Sequence, residues 1–179
     1  MAFDESKKFA DTDPNLMDVI NKRWSPRALS DQPVDEHHLK TLFEAARWAA
    51  SSFNGQPWRF IVGQKGSDTY QQLYECLVEW NRGWNVSTPV LVAGISKQTF
   101  AEHTPSAGKE NFHANYDLGQ SVAFMTLQAT KLGLYMHQMA GFDWKALKEK
   151  FELNDDYHPA VMFAIGHRAD PETLDEQYR

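Results

Sequence analysis

Residues 110–131 carry the longest helical pattern in the chain. Its second half, Val122-Ala123-Phe124-Met125-Thr126-Leu127-Gln128-Ala129, leaves almost no polar face. A helix apolar nearly all round must be covered on several sides. In a chain of 179 residues, a partner subunit is an expected supplier of part of that cover. That length favours one domain, predicted over residues 1–179, with loose polar segments at 1–12 and 169–179. With 42% hydrophobic and 13% aromatic residues, the chain has ample surface to bury, which excludes disorder.

Other elements follow from shorter signals. Leu16, Met17 and Ile20 begin a helical pattern that ends near residue 25, because Pro26 biases Ser25 away from the α region. Asp35 is an N-cap candidate for a second helix, and Val34 and Leu39 have the spacing of a hydrophobic staple. Leu39, Leu42, Phe43 and Ala46 carry its apolar stripe to about Ala50. Residues 58–63 read as a strand, 67–81 as a helix with Leu73, Leu77 and Trp80 on one face, and 89–95 as a central strand. Residues 133–139 and 160–166 read as further strands, with a short helix over 144–151. Strands scattered among helices without strict alternation predict an α+β fold. The expectation is one mixed or antiparallel sheet flanked by helices, with the long buried helix central and a partner subunit across part of it, as at a dimer interface.

Composition excludes several functions. A net charge of −6 argues against nucleic acid as partner but leaves room for a local basic pocket. The single cysteine, Cys76, excludes an internal disulfide framework, and its place among Tyr74, Leu77 and Val78 reads as a small buried hydrophobe. The seven histidines show no metal-ligand spacing, so no metal is expected. Nucleophile-elbow, Walker and dinucleotide-fingerprint motifs are absent. The first residues show no apolar segment of signal-peptide length, and no run is long enough to span a membrane. The expected setting is the cytoplasm.

What remains is polar residues at element ends. Arg23, Ser25 and Arg27 stand at alternate positions, which point the same way in an extended segment. Two guanidinium groups and a hydroxyl on one side would suit a phosphate. His167 and Arg168, after the last strand, would add a second cationic cluster. The competing reading is solvated surface arginines. Ser51-Ser52-Phe53-Asn54-Gly55-Gln56 offers hydroxyls and amides to a polar ligand, or is an ordinary helix-to-strand turn. Ala140-Gly141 offers backbone that can approach a ligand closely, or a plain turn.

Taken together, these segments resemble the nitroreductase family of FMN-dependent oxidoreductases. The resemblance rests on Arg23-Trp24-Ser25-Pro26-Arg27, then Ser51-Ser52-Phe53-Asn54-Gly55-Gln56-Pro57-Trp58, Asn81 with Trp84, and Asp117-Leu118-Gly119-Gln120. It continues through Ala140-Gly141-Phe142-Asp143 to Ala164-Ile165-Gly166-His167-Arg168, in that order. It implies a homodimer with FMN in clefts formed by both subunits. Carried over, Arg23 and Ser25 would bind the phosphate with His167 and Arg168 closing on it, Trp24 would lie along the ribityl chain, and Arg27 at the pyrimidine edge. Ser51, Ser52 and Asn54 would come from the partner subunit, with Gln56 in the same candidate set. Asn81 would meet the flavin's polar edge, and Ala140 and Gly141 would present backbone N–H groups near N5.

The implied activity is hydride transfer from NADH or NADPH to a nitroaromatic, quinone or similar small acceptor, by ping-pong kinetics. No side chain is singled out as catalytic, because the cofactor carries the chemistry. A specialised flavoenzyme doing dehalogenation, dehydrogenation or flavin breakdown is a second reading, and a flavin- or partner-binding protein without turnover a third. Residues 97–113 are expected to line the acceptor pocket. In this sequence Ala50 stands where relatives carry proline, and Phe53 where they carry a smaller residue.

Overall fold

The computed structural model describes residues 12–179; most of the segment expected to be loose at 1–12 lies outside them. Its elements in chain order are α1 (Asp18–Lys22), α2 (Glu36–Arg47), β1 (Trp58–Gln64), α3 (Asp68–Cys76), α4 (Glu79–Trp84), β2 (Val90–Lys97), α5 (Ala114–Lys131), β3 (Tyr135–Met139), α6 (Trp144–Lys150) and β4 (Tyr157–Gly166). The four strands form one antiparallel sheet in the order β1-β2-β4-β3. The fold is therefore α+β with a wholly antiparallel sheet, within the mixed-or-antiparallel expectation.

The central place of β2 follows from its composition: Val90 through Ser96 are buried on both faces. Alternate residues serve two cores, as a pleated strand requires. Leu91, Ala93 and Ile95 join Met162, Ala164, Leu73 and Leu147 on one face, against α3 and α6. On the other, Val90 and Val92 join Phe163, Ile165, Leu42 and Met125, against α2 and α5.

Local signals place the helix starts. The Asp35 carboxylate accepts the His37 and His38 N–H groups, and Val34 and Leu39 are both buried in the second core, as a capped and stapled start should be. α5 begins at Ala114 rather than 110, because the preceding backbone is otherwise engaged. Glu110 bridges Thr99, and Asn111 N–H donates to the Gln98 carbonyl at 2.7 Å. Leu118, Val122, Met125 and Ala129 face the core, while Tyr116 (69% exposed) and Phe124 (47%) remain uncovered on the opposite face.

Two expectations are corrected. The helix predicted over 67–81 is two helices, α3 and α4, parted at Leu77 and Val78, which are extended. Leu77 bridges Phe142, Val78 N–H donates to the Gly141 carbonyl, and the Cys76 carbonyl accepts from Asp143 N–H. Pairing to a distant loop thus outweighs continuation of the helix. Residues 169–179, expected to be a loose tail, fold back as two 3-10 turns. Leu174 and Tyr178 are buried in the first core; two apolar anchors hold an otherwise polar segment. Among the described residues no helix is long and apolar enough to cross a membrane.

Candidate functional site

After α1 the chain turns extended at Arg23 (φ −71°, ψ 125°). Arg23 and Ser25 then share a side, and an Arg23 Nη donates to Ser25 Oγ at 3.4 Å. A few residues on, Leu29 pairs antiparallel with Arg168. Ser30 N–H donates to the His167 carbonyl and Ala169 N–H to the Ala28 carbonyl, both at 2.8 Å. This bridge joins the two cationic segments that the sequence keeps far apart. Between them opens a cleft of about 360 Å³, lined by Trp24, Ser25, Arg27, His137, Arg168 and Tyr178 among others.

Arg27 points inward: its guanidinium stands 5.8 Å from the Trp80 ring centroid and donates to the Tyr178 carbonyl at 3.2 Å. Arg23 is exposed at the surface and does not line the cleft. His167 contributes its carbonyl to the bridge rather than a ring to the lining.

His137, read from sequence only as one of seven dispersed histidines, is a cleft residue. Its Nδ1 lies 3.1 Å from the Pro26 carbonyl. A carbonyl can only accept, so Nδ1 carries the proton. Burial holds the imidazole below its ordinary value of 6.5, and the Pro26 bond opposes this only in part. Tyr178 was also missed. The one signal for either is indirect: β3 runs into the Met139-Ala140-Gly141 turn, and Tyr178 is an isolated aromatic in a polar stretch.

Asn81 and Gly141 are brought together outside this lining. Asn81 Nδ2 donates to the Gly141 carbonyl at 2.9 Å, and Asn81 Oδ1 accepts from Trp84 Nε1 at 3.2 Å. The amide thereby fixes the turn that carries the exposed Ala140.

The 51–56 turn stands elsewhere. Phe53, Asn54 and Gln56 all have φ between 44° and 54°, positive values interrupted only by Gly55 (φ −68°), which are costly for L residues and so must be held. Its holders are specific. Buried Asp117 accepts from Ser52 N–H at 3.0 Å, and Ser51 Oγ accepts from Gln56 N–H at 3.0 Å. His103 Nε2 sits 2.9 Å from the Asn54 carbonyl, and buried Phe100 packs edge-on to Phe53. Ser51 and Ser52 line a second hollow of about 390 Å³ with His113, Tyr116 and Gln120. Within one chain they do not reach the first cleft. Part of the 97–113 segment, expected to line the acceptor pocket, is here a brace for this turn.

Cys76 is 1% exposed, and burial pushes its thiol up, the state of an unreactive packing residue. Among the described residues, no three His, Cys, Asp or Glu side chains gather as metal ligands would.

An antiparallel sheet between two helical layers thus carries a cationic cleft where the loop after α1 meets the end of β4, an α+β protein built to take an anionic ligand. The nitroreductase family model matches residues 20–87. A solved structure described as an oxidoreductase containing FMN is 30% identical, with a TM-score of 0.87 over 94% of this chain and 84% of that one. A Clostridium difficile nitroreductase family protein superposes with a TM-score of 0.73 at 25% identity, over 87% and 86% of the two chains. A Streptomyces coelicolor protein provisionally named an NADH dehydrogenase/NAD(P)H nitroreductase is 29% identical, over 85% of this chain and 82% of its own length. The chain belongs to the nitroreductase family.

Proposed function

We propose that the protein is an FMN-dependent oxidoreductase that moves a hydride from NADH or NADPH to a nitroaromatic, quinone or similar small acceptor, by ping-pong kinetics. The observation that carries this reading is the Leu29–Arg168 bridge, which gathers Ser25, Arg27 and Arg168 around one cleft. A phosphate needs several convergent donors and positive charge, and Ser25 with Arg168 fits one, leaving Arg27 for a second anionic edge of the same ligand. FMN, when bound, supplies the two-electron carrier; the chain supplies binding, orientation and electrostatics.

In this reading Ser25 and Arg168 hold the phosphate from within the cleft, Arg23 adds positive charge from the rim beside Ser25, His167 anchors the bridge that brings Arg168 in, and Trp24 flanks the ribityl chain. Arg27 places a cation where negative charge develops on reduction, which favours the reduced form. Asn81, which fixes the turn through the Gly141 carbonyl, would meet the polar edge, and Ala140 and Gly141 would offer backbone N–H groups to the flavin. Ser51, Ser52, Asn54 and Gln56 serve the cleft of a second copy, and the protein works as a homodimer. That assembly is supported by the uncovered apolar face of α5 and by the exposed Leu16, Met17 and Ile20 of the α1 region packed beside it.

The visible spectrum of purified protein, repeated after anaerobic addition of NADH and then NADPH, tests the reading. A flavin band that bleaches is the expected result. A colourless protein that refuses added FMN overturns it.

A further inference from the structure

Residues 171–179 do more than close one end of the core. The Tyr178 ring meets Trp80 edge-on at a centroid distance of 4.9 Å. It lies so close over Gly83 that a Cβ there would overlap Tyr178 Oη and Cζ. The segment is braced internally: Arg179 Nε donates to the Leu174 carbonyl at 2.9 Å, and Arg179 pairs with Glu172 at 2.8 Å. With its ring so seated, Tyr178 presents its main-chain carbonyl to the Arg27 guanidinium at 3.2 Å, while Trp80 covers the guanidinium face. Any residue has a carbonyl, but the Tyr178 ring and the Gly83 notch decide where this one stands.

Arg27, Arg168 and Arg179 border one cleft, and Arg179 is already held by Glu172. A guanidinium in that company needs a fixed acceptor to hold its aim. We propose that Tyr178, seated on Gly83, is a positioning residue that holds Arg27 at the angle from which it meets the anionic edge of the cleft's ligand. The role given to Arg27 rests on the FMN reading; the Tyr178–Arg27 latch does not. Because the two ends are coupled, loss of Arg27 loosens the 171–179 segment, and release of the segment weakens what Arg27 does.

The test uses Y178A, Y178F, G83A and R27A. Hydrogen exchange of residues 171–179 in FMN-free protein is read first, then FMN affinity by flavin fluorescence, and then the midpoint potential of bound flavin. Exchange is expected to rise in Y178A, G83A and R27A but not in Y178F, which keeps the ring. FMN affinity should fall roughly 3–10-fold in Y178A, the scale of one ordinary hydrogen bond, because Arg27 keeps its charge and loses only its aim. The potential should move negative, and Y178F should restore both. A Y178A protein with a released segment but wild-type affinity and potential overturns the proposal, since a merely structural role would do that. Should wild type take up no FMN, the functional reading fails, and R27A exchange still decides the latch: unchanged exchange overturns it and faster exchange supports it.

Discussion

Leu29 and Arg168 pair backbone to backbone across almost the whole chain, and the candidate site depends on that contact. Under the proposed function, Arg168→Ala and Arg23→Ala each lower FMN affinity about tenfold through lost charge-assisted bonds. Ala169→Pro removes the N–H that donates to the Ala28 carbonyl, and is expected to lower affinity while leaving every cation in place. Fluorescence titration reads all three. Undiminished affinity in Arg23→Ala would sink the phosphate assignment.

The left-handed 51–56 turn separates side-chain identity from backbone strain. Asn tolerates positive φ through its short polar side chain, whereas β-branched residues do not. With φ at 54° for Asn54, Asn54→Val is expected to cost about 1–2 kcal/mol of stability, and Asn54→Gly to cost little. Thermal melts of the pair check this. Equal destabilisation by both would shift the explanation to the amide that accepts from Gln56 Nε2.

Acid should find His137. Its folded value lies below 6.5, first because of burial. Above 6.5 both folded and unfolded imidazoles are neutral and the burial has no pH-dependent cost. As pH falls through 6.5, the unfolded chain takes a proton that the folded ring resists, so stability declines until the folded ring also protonates. His137→Asn can still donate to the Pro26 carbonyl but does not titrate. Its melting temperature should fall less than that of wild type between pH 7 and pH 5, and parallel slopes would contradict the assignment.

Gly63 tests how α3 sits on β1. A Cβ at this position would stand 2.5 Å from Tyr70 Cα and 2.6 Å from Tyr70 N, main-chain atoms of a packed helix. Gly63→Ala should therefore cost about 3 kcal/mol as overpacking, a drop of roughly 6–12 °C at this chain length. Differential scanning calorimetry would show it. A loss under about 1 kcal/mol would mean that α3 can slide on the sheet.

Much of this was legible beforehand because it is local. Asp35 caps a helix by bonds to residues two and three positions on. Val90 to Ile95 advertise a central strand by being apolar on both faces. Harder to see was the break at Leu77, since the helical stripe of Leu73, Leu77 and Trp80 is genuine. What stops the helix is a bridge to Phe142, a partner far along the chain. For the 169–179 segment, two apolar residues among polar ones carried too weak a pattern to outweigh its composition.

The same division holds at the site. Readable from the residues alone were the cationic character of the segment holding Arg23, Ser25 and Arg27, the place of His167 and Arg168 after a buried strand, and the turn over 51–56. Each of these is a property of a few neighbouring residues and their φ/ψ preferences. Long-range packing alone brings the first two segments together, adds His137 and Tyr178 to them, turns Arg23 out of the cleft that Arg27 enters, and gives the turn to a different hollow. Those outcomes depend on strand register and on which faces are left to bury, and both are settled by contacts between residues with no relation in sequence.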